Sequence, residues 1–150
     1  MSYEEKNITV SLMSSLLILG FYVINWFRMF QQGALLPDPL FTLCGIVIAA
    51  SIISNIAGNI LTNIVLSIVH AIRTGGKEEA RFIADERDRL IELRGSKFSY
   101  ITFSIGVLLA MLTFVYGQSP LIMFSLIVFF AIVAEVIGDI VQITLYRRGF

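Results

Sequence analysis

One cysteine, one histidine and three prolines are all that this chain of 150 residues holds of those types. Lone Cys44 rules out an internal disulfide. With only His70 beside it, the chain lacks the cysteine pairs or second histidine that a zinc, haem or iron–sulfur centre would draw on. Cys44 reads as a packing residue and His70 as an interfacial side chain. No Ser/His/Asp set, glycine-rich phosphate loop or nucleic-acid motif is present, so neither an enzyme nor a nucleic-acid partner is expected. Charge is scarce too, at 15% of residues, and the eleven basic and eleven acidic groups cancel.

What the chain has in quantity is apolar surface. It is 57% hydrophobic with a mean hydropathy of +0.83, more than a soluble domain of this length can hide. Four runs, near Ile8–Phe27, Phe41–Ile72, Phe98–Tyr116 and Leu121–Tyr146, are long enough at about 1.5 Å per residue to cross a hydrocarbon core of about 30 Å. The second and fourth exceed a perpendicular crossing and are expected to tilt or to project beyond the bilayer. The expected fold is an all-α integral membrane protein, one four-helix domain over residues 1–150.

Orientation follows from Lys and Arg. Seven of the eleven fall within Arg73–Lys97, and Arg147 and Arg148 follow the last run, whereas the other two loops offer only Arg28. The positive-inside rule places both termini and the central segment in the cytoplasm. Glu4 and Glu5 stand where a signal peptide would carry basic residues, so the first helix is expected to be retained. Trp26, Phe27 and Tyr116 mark the outer interface, and Tyr100 and Tyr146 the inner one.

Two phrases repeat at an offset of 80. Ser54-Asn55-Ile56-Ala57-Gly58-Asn59-Ile60 parallels Ala134-Glu135-Val136-Ile137-Gly138-Asp139-Ile140, and Ile8–Leu12 parallels Ile101–Ile105 at an offset of 93. The pattern reads as a tandem duplication of a two-helix hairpin. Repeat 1 covers about residues 1–73, a cytoplasmic amphipathic connector about 74–97, and repeat 2 about 98–150. Equal topology of the repeats implies a pseudo-two-fold axis along the membrane normal. Ser54-x-x-x-Gly58 and Ala134-x-x-x-Gly138 are small-residue patterns that permit close backbone approach. They predict contact between helices two and four, or a homo-oligomer interface.

The repeat carries the polar groups. Asn55, Asn59 and Asn63 recur every four residues, and Glu135 and Asp139 are likewise one turn apart, so each set forms a stripe on its helix. Asn55 and Glu135 lie about 15 residues, roughly 22 Å, from the outer ends of their helices. No Lys or Arg occurs at that depth. Two carboxylates sharing a poorly solvated site cannot both ionise cheaply, so a proton or an external cation is expected to neutralise them. Oxygen-only ligands favour a hard ion such as Na⁺, Ca²⁺, Mg²⁺ or Mn²⁺, with Glu135 and Asp139 as metal ligands and no other cofactor. The competing interpretation is interhelical glue, in which the same groups merely hydrogen-bond across helices.

The connector is expected to be helical from Lys77 to Leu93, lying along the inner leaflet or continuous with helix three, with Asp85→Arg89 as an i, i+4 pair. Its charged string Ala84-Asp85-Glu86-Arg87-Asp88 resembles that of a loose group of small prokaryotic membrane proteins. These have about four helices and an Asp-Glu-Arg-Asp motif before a helical hairpin. The resemblance covers about Ala84 to Gly95 and the hairpin architecture. It implies a prokaryotic inner-membrane location and a regulatory or stress role, because genes of that group often neighbour small DNA-binding regulators. It supplies neither an activity nor site residues.

Two functions are therefore expected. The first is a cation- or proton-coupled transport protein that uses Glu135 and Asp139, with Asn55, Asn59 and Asn63 as neutral ligands. The second is a non-catalytic membrane regulator whose Asp85, Glu86, Arg87 and Asp88 dock a cytoplasmic protein. In both, the bilayer is a partner and a homodimer or larger homo-oligomer is expected.

Overall fold

The computed structural model describes residues 3–31, 33, 36–74 and 86–148. Four helices account for nearly all of them: α1 (Tyr3–Gln31), α2 (Pro37–Thr74), α3 (Glu86–Val115) and α4 (Pro120–Arg147). Each includes a stretch long and apolar enough to cross a membrane. At about 1.5 Å per residue, the 28 residues of α4 span about 42 Å, so every helix outreaches a core of about 30 Å.

The helix ends follow local chemistry. Gly33 turns the chain after α1 with φ +62°, and Pro37 opens α2, where its missing N–H costs no helical hydrogen bond. Between α3 and α4 the turn is closed by backbone bonds from Gly117 N to Phe114 O (3.0 Å) and from Gln118 N to Thr113 O (3.1 Å). Gly117, at φ +81°, supplies the left-handed residue that this C-terminal motif needs. Ser119 then caps α4, its Oγ accepting from Leu121 N at 3.3 Å, and Pro120 takes the first helical position.

Helix α4 is the hub. It packs extensively on α3, less on α1 and only lightly on α2, while α2 leans mainly on α1. Among the described residues the backbones of α2 and α3 do not approach each other closely. The hairpin half of the bundle is an apolar core of Tyr22 from α1, Leu40, Leu43, Cys44 and Val47 from α2, and Val128 and Ile132 from α4. Tyr22 is buried there and donates its hydroxyl to Ser125 O at 2.8 Å, which satisfies a polar tip that burial would otherwise penalise.

Close approach of α3 and α4 rests on glycine. A Cβ at Gly106 would collide with the ring base of Phe130, and one at Gly138 with the Ser99 hydroxyl. Here the structure departs from the small-residue reading. The pattern predicts that Gly138 faces α2 or a second copy of the chain, whereas it faces α3. A small-xxx-small face permits close contact without naming the partner, and α3 is the helix that uses it.

The outward surfaces remain apolar. Leu17 is 72% exposed, Ile53 66% and Leu108 63%. Exposed aliphatic surface on this scale is stable against hydrocarbon rather than water. The chain is accordingly a multi-pass helical protein with faces suited to lipid.

The charged string before the third apolar run belongs partly to α3 itself, which runs unbroken from Glu86 through that run. Residue Asp85 lies outside the described residues.

Candidate functional site

Polar groups gather in the half of the bundle that holds the termini, below the Tyr22–Val128 core. Glu135 and Asp139 sit one turn apart on α4, yet they engage different neighbours. Glu135 Oε1 accepts from Asn55 Nδ2 of α2 at 3.1 Å, and the same amide nitrogen donates to Ser51 O at 3.1 Å. Asp139 Oδ2 accepts from Ser11 Oγ of α1 at 2.9 Å.

Serine hydroxyls link α1 and α2 beside this pair. Ser54 Oγ donates to Ser14 Oγ at 2.8 Å, and Ser14 Oγ donates on to Ser11 O at 2.8 Å. Three helices thus share one polar layer. Its donors to the carboxylates are neutral: a carboxamide and a hydroxyl. The sequence places no Lys or Arg between Arg28 and Arg73 or between Lys97 and Arg147, so neither acid has a basic counter-charge within its own or a neighbouring apolar stretch.

The two carboxylates also differ in access. Glu135 and Asn55 form one end of a cleft of about 400 Å³ over α4, between α2 and α3. Its walls are apolar, with Val47 and Ile52 from α2, Phe103 from α3, and Phe124 and Ala131 from α4. It lies where the backbones of α2 and α3 stay apart. Asp139 is no part of its lining.

Of the residues singled out in the sequence, Asn55, Glu135 and Asp139 come together in this layer. Asn59 and Asn63 belong to α2, but their side chains lie outside the described residues, as does that of His70. Among the described residues no group of three or more His, Cys, Asp or Glu gathers to hold a metal ion. The Glu135 and Asp139 pair with Asn55 and Ser11 offers an oxygen-rich pair of half-sites rather than a closed cage.

At the same end of the bundle, Tyr146 OH of α4 donates to Asp88 Oδ1 at 2.9 Å, and Arg147 Nε pairs with Glu5 Oε1 at 3.3 Å. Asp88, expected on a docking surface, is thus engaged with α4, and the neighbouring Glu86 and Arg87 have exposed side chains.

Sequence reasoning missed Ser11 and Ser14 as site residues. The available signal was Ser11-x-x-Ser14-Ser15, hydroxyls at helical spacing in an apolar run. Ser11 stood out only as a marker of the repeat.

Compared with known proteins, the chain matches no protein-family model, no curated protein and no solved structure.

Proposed function

We propose that this chain is a small membrane transport protein that binds a proton or a cation at Glu135, with Asp139 as the second acidic group of the same layer. The observation that carries this reading is the arrangement of the two acids. Each is held by a neutral donor from a different helix, Asn55 on α2 and Ser11 on α1, and no basic residue stands in these stretches of sequence.

Isolated charge in a low-dielectric layer is costly. The acids are therefore occupied in turn by a proton or by an imported positive charge, and the two compete for one carboxylate. Neutral donors suit that exchange, because they remain satisfied in both states. A Lys or Arg partner would instead fix the carboxylate as an anion.

With both termini cytoplasmic, as the Lys and Arg distribution implies, Asp139 lies one turn to the cytoplasmic side of Glu135. The tandem duplication gives the site its origin in this reading. Asn55 and Glu135 are equivalent repeat positions and are hydrogen-bonded to each other, as expected for groups beside a pseudo-two-fold axis. The helix contacts do not follow that symmetry: α1 packs on α4 whereas α2 and α3 leave a gap, and α3 and α4 pack far more extensively than α1 and α2.

The test is thermal unfolding of the detergent-purified protein from acid to alkaline pH, with and without Na⁺, K⁺, Mg²⁺, Ca²⁺ or Mn²⁺. Melting of the wild type should shift with pH or with a saturating cation, and Glu135→Gln should abolish the shift. An identical response in the variant would end this reading.

A further inference from the structure

The cleft between α2 and α3 carries a more specific assignment. Its volume of about 400 Å³ falls within the roughly 300–1,000 Å³ of small-molecule sites. Ile48 and Ile52, on its α2 side, are 47% and 54% exposed, so the cleft opens sideways, toward lipid, rather than through an aqueous funnel.

A small inorganic ion gains little from such walls, since it needs oxygen ligands or retained water on every side. An uncharged hydrocarbon would fit the walls but leave the Glu135 end unused. The complementary occupant has an apolar, partly aromatic body and one positive charge. Its body would lie against Phe103 and Phe124, where cation–π attraction adds to burial, and its charge would meet Glu135.

We infer that this cleft binds a lipophilic organic cation, which reaches it from the bilayer between α2 and α3 and exchanges there with the proton of Glu135. The inference rests on the proposed exchange of proton and cation at Glu135, and it names the class of cation. Asp139, outside the cleft and held by Ser11, contacts no part of that ligand.

Tetraphenylphosphonium binding to the purified protein in detergent tests it. Binding should be saturable and should strengthen as pH rises, by at most about tenfold per pH unit, because the proton and the cation exclude each other. Glu135→Gln should weaken binding at least about tenfold, a loss typical of a removed charge partner. Ala131→Leu and Ile52→Phe, which fill the cleft from positions already exposed, should each weaken it to a similar extent. Leu108→Phe, on an exposed face away from the cleft, serves as the control and should bind as the wild type does.

Equal binding by the filled variants would overturn the inference. So would equally tight binding of uncharged triphenylphosphine oxide, which would mark the cleft as a groove for lipid chains. If wild-type melting follows pH through Glu135 but tetraphenylphosphonium does not bind, the organic cation is wrong and the proton or inorganic-cation reading survives. If Glu135→Gln leaves the pH response unchanged, both fall.

Discussion

Asn55 and Glu135, 80 positions apart in sequence, meet at 3.1 Å, amide nitrogen to carboxylate oxygen. This bond ties α2 to the hub helix where the two otherwise pack only lightly. It also distinguishes two substitutions. Glu135→Gln keeps an oxygen for Asn55 to donate to but cannot release a proton. It should melt close to the wild type and lose the pH or cation response. Glu135→Leu leaves the Asn55 amide without this acceptor and should cost about 0.6–2 kcal/mol, the range for interhelical hydrogen bonds in membranes. Paired melting curves of the two variants check both outcomes.

Asp139 binds a different helix, so its contribution should separate from that of Glu135. The hydroxyl of Ser11 is its donor, 2.9 Å away. In a double-mutant cycle, Ser11→Ala and Asp139→Leu should show a coupling of about 0.5–2 kcal/mol. Ser11→Ala and Glu135→Gln should be nearly additive. Reversal of that order would mean that Ser11 serves the wrong acid in this account.

Some of this was legible from residue type and spacing. Acids and amides inside apolar runs pointed to one polar layer because such groups are rarely carried there without partners. The turn at Gly117, Ser119 and Pro120 rests on backbone chemistry that depends on no distant contact. Partner choice was not legible. The Ala134-x-x-x-Gly138 pattern reports a face that can come close, yet α3 rather than α2 occupies it. Ser11 gave no strong signal, since a serine in a membrane helix can satisfy itself on its own backbone, as Ser14 does on Ser11 O.

Gly106 tests whether the α3–α4 interface limits stability. Its missing side chain admits Phe130, and a Cβ would meet the Cβ and Cγ of that residue rather than a mobile tip. Gly106→Ala should therefore destabilise by about 1–3 kcal/mol, the usual cost of overpacking, despite the gain in helix propensity. Adding Phe130→Ala should recover part of the loss. Melting of the single and double variants decides the point, and a stabilised single variant would show that α3 and α4 can move apart freely.

Tyr146 and Asp88 offer the sharpest separation between the transport reading and partner docking through the charged string. The phenolic hydroxyl donates to Asp88 Oδ1 at 2.9 Å, joining the last turn of α4 to the first turn of α3. If this bond fastens the helix start, Tyr146→Phe should loosen it by about 0.5–1.5 kcal/mol. Backbone amides beyond the first turn of α3, from Leu90 onward, would then exchange faster, while Glu135-dependent melting would be unaffected. Asp88→Asn keeps an acceptor for the tyrosine and should exchange nearly as the wild type does. A surface used for docking would respond in the opposite order: Asp88→Asn would abolish partner capture by removing its charge, and Tyr146→Phe, which leaves that charge in place, would not. Hydrogen exchange of the three proteins therefore reports whether Asp88 is held for the sake of the fold, independently of whether any partner has been found.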